Sequence, residues 1–100
     1  MRLGKYAQHA RVGLNFHVKA WCLCIEQGAK GISKAVLEKQ LFAGDSAGRQ
    51  WDRWKGGQIP SAGEFDAATS AAVSMGWLPR EMGEALVRSF SLQRSSEVGG

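Results

Sequence analysis

Apolar positions recur along most of this chain at intervals of three and four, the spacing of a single helix face, and no convincing pair of strands interrupts them. Asn15 is of the type that caps a helix. Phe16, Ala20, Leu23 and Gln27 follow it at helical spacing, Trp21, Cys24 and Ile25 widen the apolar face, and Gly28 and Gly31 end the segment. Ser33 starts a second helix that runs to about Phe42. In a third, short helix near 47–55, Ala47, Trp51 and Trp54 share one face, while Arg49 and Arg53 share the far side with Gln50 on its flank. Asp45 or Ser46 can cap this helix, and Gly56, Gly57 and Pro60 stop it. Ser61 and Glu64 have the spacing of a capping box, and Phe65, Ala68, Ala72 and Met75 repeat behind them. Gly76 to Pro79 closes that helix. Met82, Leu86, Val87 and Phe90 then carry a last one to about Leu92.

These elements predict an all-α fold, a compact bundle of about five helices in one domain over residues 1–92. Glycines at Gly4 and Gly13 weaken the opening segment, so residues 1–13, with Arg2, Lys5 and Arg11, are expected to form a basic arm or a short helix. Residues 93–100 carry no pattern and are expected to be a disordered tail.

The order Trp54, Gly57, Pro60 followed by an amphipathic helix resembles the Cro/C1-type (XRE-like) helix-turn-helix family, whose short recognition helix ends in a Trp. Ile32 to Leu41 looks like that family's first motif helix, with Val36, Leu37 and Leu41 facing inward, and the resemblance covers roughly residues 32–76. Three features depart from it. The connection Phe42 to Gly48 is longer than the family's tight turn, Glu38 stands where a small residue is usual, and Lys55 stands where an acid often follows the Trp. The resemblance implies a sequence-specific DNA-binding protein, a transcriptional regulator, with its recognition helix in the major groove of double-stranded DNA. Arg49 and Arg53 suit guanine, Gln50 suits adenine, Ser33 and Lys34 would stand near phosphates, and Lys30 and Lys55 would flank the site. Against this stands the simpler reading of Arg49 and Arg53 as a solvated face partly neutralised by Asp52.

Charge favours a polyanion. The chain is +4 overall, but residues 1–60 hold ten Lys and Arg against four acids, whereas residues 61–100 hold three against five. A basic face that holds DNA equally holds an acidic protein, so the alternative is a protein-interaction module on the same scaffold, such as an antitoxin or an inhibitor of a host nucleoprotein complex. Trp77, Met82, Leu86 and Phe90 are the expected contacts of a homodimer that would bring two recognition helices to successive grooves, unless the last helix only closes its own core.

Enzymatic chemistry finds little support, and no enzyme is expected. Cys22 and Cys24 point about 200° apart on a helix, His9 and His17 lack the three- or four-residue spacing that converges metal ligands, and no phosphate loop or dinucleotide turn is present. The cysteines are expected to be reduced, and no metal or cofactor is expected. The longest apolar run, Ala20 to Ile25, is far too short to span a bilayer, and with no charged-then-apolar stretch among the first residues a secretory leader is not expected. The expected location is cytoplasmic, nucleoid-associated when bound to DNA.

Overall fold

The computed structural model describes the backbone of residues 2–99 and the side chains of residues 13–94. Among these residues the chain is all-α: α1 (Arg2–Gly28), α2 (Lys34–Phe42), α3 (Arg49–Lys55), α4 (Ala62–Ser74) and α5 (Arg80–Gly99). Long helices α1 and α5 pack together; α4 packs on α5 and α2, and the short α3 is held by α1 and α2.

Helix α1 buries a different stripe from the one its spacing suggested. Leu14, Val18, Trp21, Cys22 and Ile25 form the core face, whereas Phe16 and Leu23 are 72% and 57% exposed. The cause is that the helix does not start at Asn15. Extending an existing helix costs far less than nucleating one, so Gly13 does not break it, and Leu14 and Val18 join Trp21 and Ile25 in a larger apolar stripe. The expected basic arm is the first part of this helix. Its side chains, those of Arg2, Lys5, His9 and Arg11 among them, lie outside the described residues.

Aromatic rings fill the centre. Trp21 lies 5.2 Å from Trp54, 6.1 Å from Trp51 and 5.6 Å from Phe65, and Phe65 stacks on Phe90 at 4.2 Å between centroids. The polar edge of Trp21 is satisfied inside this core: its indole N–H donates to Thr69 Oγ1 at 3.0 Å, and the Thr69 hydroxyl donates to the Phe65 carbonyl at 2.7 Å.

Helix α4 starts as predicted. Ser61 Oγ accepts from the Glu64 N–H and the Glu64 carboxylate accepts from the Ser61 N–H, a reciprocal capping box that holds the Glu64 carboxyl below its ordinary range. Phe65, Ala68 and Ala72 are buried as expected, but Met75, just beyond the helix, is 45% exposed. Helix α5 closes the core through Phe90, with Leu86 and Val87 half-buried. Its backbone continues through the expected tail to Gly99, because nothing after Leu92 breaks a helix and two anchors follow. Gln93 sits over Gly13 of α1, and Arg94 donates to the Pro60 carbonyl at 3.0 Å. At the other end of α1, Gly28 lies so close to the Trp77 carbonyl that a Cβ would collide with it. Trp77 and Phe90, expected at a contact with a second copy, are thus internal, and of the four residues Met82 is the exposed one at 44%.

Candidate nucleic-acid interface

Helix α2 begins at Ser33, whose Oγ accepts from the Val36 N–H, so the predicted cap is present. Leu37 and Leu41 face inward, but Val36 is 45% exposed and does not belong to the core. The third buried residue of α2 is Glu38, with no solvent exposure at all. An acid is stable there only because donors surround it. Its Oε2 accepts from the Ser46 N–H at 2.7 Å and the Gly48 N–H at 3.1 Å, while Oε1 accepts from the Gln50 N–H at 2.7 Å and from the Ser46 hydroxyl. The Ser46 hydroxyl, then the Gly48, Ser46 and Gln50 amides, pull the carboxyl down to about 2 against the opposing effect of burial.

Glu38 therefore caps α3 across the connection. Asp45 is not the local cap, and of the two expected residues it is Ser46 that contributes, its hydroxyl accepting from the Gln50 N–H at a long 3.4 Å; α3 itself starts from Gly48 at φ 90°, which has no side chain to cap with. The connection, residues 43–48, wraps the carboxylate; Ala43 at φ 55° is the left-handed C-cap of α2, its N–H on the Lys39 carbonyl, and Ala47, also at φ 55°, lies between the Ser46 and Gly48 amides that donate to Glu38. Ala47 is consequently outside α3 and exposed, not on the tryptophan face. The departure from the family pattern at Glu38 and the longer connection are one feature. The signal for it was an acid beside inward-facing Leu37 and Leu41, followed by a run of small residues whose backbone amides can solvate a charge.

Helix α3 divides as its spacing predicts. Trp51 and Trp54 are buried at 2% and 1% exposure, and the opposite face carries Arg49, Asp52 and Arg53. Arg49 Nε donates to the Ser46 carbonyl at 3.1 Å, which steadies the guanidinium at the start of the helix. Among the described residues neither Arg49 nor Arg53 forms a salt bridge. Lys34 does: its ammonium lies 2.9 Å from Asp52 Oδ2, and its stem passes over Gly48. Lys55 is paired with Glu26 of α1 at 2.6 Å, which raises its affinity for its proton and ties the end of α3 to α1. Lys30 and Ser33 are exposed at the entrance to α2.

Gln50 is placed differently from the arginines. It is half-buried, close to Gly44, and lines a pocket of about 140 Å³ with Phe42, Trp54 and Glu64. The helix rotation that buries Trp54 turns Gln50 toward α4, so the outward face is Arg49, Asp52 and Arg53. Asp52 belongs to that face as expected, but the cation it pairs with is Lys34 of α2 and not either arginine.

Elsewhere, a shallow groove of about 570 Å³ runs between α4 and α5, rimmed by charges of both signs from Asp66, Arg80, Glu84 and Arg88. Cys22 and Cys24 are free thiols, and burial, with a smaller contribution from Glu26, pushes the Cys22 thiol up to about 12, far from a reactive thiolate. Among the described residues no group of three or more His, Cys, Asp or Glu is arranged to hold a metal ion, and no helix is long and apolar enough to cross a membrane. Comparison of the chain with protein-family models, curated proteins and solved structures returns no match in any of the three.

Proposed function

We propose that this is a small sequence-specific DNA-binding protein, a cytoplasmic transcriptional regulator, that sets the outward face of α3 in the major groove of double-stranded DNA. The observation that carries the reading is that α3 buries both tryptophans while Arg49 and Arg53 stand exposed on its opposite face without ion-pair partners among the described residues. In this reading α2 and α3 are the two helices of a helix-turn-helix, and Ser33, Lys34 and Lys30 lie along the phosphate backbone. Anion contact falls to side chains, since Glu38 already occupies amides at the start of α3. One short recognition helix reads few base pairs, so the proposal includes two copies on half-sites about one helical turn apart.

Mobility-shift titration of mixed-sequence duplex across a salt series tests this. Affinity is expected to fall with a log–log slope of roughly −0.9 per phosphate contacted, and to drop further in an Arg49→Ala, Arg53→Ala double variant that melts like the wild type. Absence of duplex binding at low salt refutes the proposal.

A second reading has its own observation. Ile32 and Val36, 41% and 45% exposed, stand four residues apart beside Lys30 and Lys34. Aliphatic side chains among lysines suit an acidic protein surface better than a phosphate backbone. On that reading the scaffold is an interaction module, an antitoxin or an inhibitor of a nucleoprotein complex.

A further inference from the structure

The outward face of α3 contains an acid as well as two arginines, and the acid has no necessary part in the fold. Asp52 is in the first turn of α3, where a carboxylate ordinarily helps by meeting the helix N-terminus. Here Glu38 already takes the Gly48 and Gln50 amides. The side chain of Asp52 instead points outward, about half exposed, where its Oδ2 accepts from the equally exposed Lys34 ammonium at 2.9 Å. A pair this exposed holds weakly and can be exchanged. A carboxylate between Arg49 and Arg53 would repel DNA unless it met a hydrogen-bond donor in the groove.

We propose that Asp52 is a specificity-determining residue that accepts a hydrogen bond from a cytosine amino group, while Lys34 leaves it for a neighbouring phosphate. This rests on the DNA-binding reading above. The chemistry of the groove selects the base. A carboxylate only accepts, so it needs an amino group, and the major-groove edges offer those of cytosine and adenine. Adenine sets its N7 acceptor beside its amino group, which suits the amide of Asn or Gln and opposes a second negative oxygen; cytosine presents its amino group without that acceptor. Arg49 and Arg53 on either side are suited to guanine, so the three residues together favour a G·C-rich core in the recognised sequence. Exchanging Lys34 from carboxylate to phosphate keeps its charge paired and frees Asp52 at the moment the duplex arrives.

The test is selection from a pool of random duplexes by the wild type, Asp52→Asn and Asp52→Ala, with thermal melts to show that all three fold alike. The wild type is expected to enrich a motif with cytosine at one position, preferred there by roughly 5- to 150-fold over other bases. Asp52→Asn should turn that position to adenine and Asp52→Ala should leave it without preference, the remaining positions being unchanged. If all three select the same motif, or if both variants bind every duplex more tightly with the same preferences, Asp52 is not reading a base and the inference falls while DNA binding stands. If the wild type binds duplex but enriches no motif, sequence-specific recognition fails and this inference with it.

Discussion

Replacing Glu38 should unfasten α3 from α2, by an amount that depends on how many donors lose their acceptor. In the wild type four donors converge on the carboxylate: the Ser46, Gly48 and Gln50 amides and the Ser46 hydroxyl. Glutamine at this site keeps one oxygen. With that oxygen toward Ser46 N and Gly48 N, the Ser46 hydroxyl can rotate to accept from the new amide, leaving the Gln50 N–H with only its 3.4 Å approach to Ser46 Oγ. Alanine removes all four acceptor contacts. An orphaned buried donor costs roughly 1–3 kcal/mol, and each kcal/mol moves the midpoint of a domain of this size by about 4–8 °C. Glu38→Gln, which orphans one amide, should therefore lower Tm by about 4–24 °C at neutral pH, and Glu38→Ala, which strips all four donors of their acceptor, by at least about 16 °C. Acidity supplies the second axis. The carboxyl sits at about 2 in the folded chain against an ordinary 4.5, so its contribution is complete above 4.5 and is lost as pH falls from there through 2. Melts followed by circular dichroism between pH 7 and pH 2 should thus show the gap between wild type and Glu38→Gln closing over that window. A Glu38→Gln protein that melts with the wild type at neutral pH, or a gap that does not narrow in acid, would refute the capping role.

Other consequences follow from the same packing. Trp54→Ala should cost on the order of 3–5 kcal/mol in denaturant titrations, while Arg53→Ala should leave the midpoint unchanged within the noise of a surface substitution; the reverse order would overturn the orientation of α3. Thr69→Val takes away the acceptor of the Trp21 indole, and a loss of roughly 1–3 kcal/mol is expected although the side-chain volume is kept. Because Phe90 is internal, Phe90→Ala should destabilise the monomer by about 3–5 kcal/mol. Met82→Asp, at the surface, is the substitution that should alter assembly in light scattering on a palindromic duplex; a particle that stays monomeric with and without DNA sinks the two-copy arrangement.

How far the sequence led depended on whether the relevant physics was local. The capping box of α4 needs only Ser61 and Glu64 three residues apart, and the division of α3 needs only the turn angle between Trp51, Trp54 and the arginines; both were legible. Helix α1 was not, because it has apolar residues on two sides. Which side is buried depends on what packs there: Trp21, in the buried Leu14–Val18–Trp21–Ile25 stripe, meets the rings of Trp51 and Trp54 from α3 and Phe65 from α4. Phe90 was ambiguous for the same reason, its partner Phe65 lying on another helix. Glu38 was legible as a departure from a family pattern but not as a cap, since its donors arrive from a connection whose path no periodicity describes. At the candidate site, the shared outward face of Arg49 and Arg53 came from spacing and their selection as site residues from the resemblance, whereas Gln50 turned inward and the Lys34–Asp52 pair required two helices to be set side by side.

The most direct test of the DNA-binding account is an NMR titration of the ¹⁵N-labelled protein with a short duplex that it has selected. Chemical-shift changes are expected to concentrate at Ser33 to Val36 and at Arg49 to Arg53, including the Arg49 and Arg53 side-chain signals, with the α4–α5 groove undisturbed at sub-stoichiometric DNA. Spectra unchanged by duplex, or changes centred on α4 and α5 with the arginines silent, would contradict it.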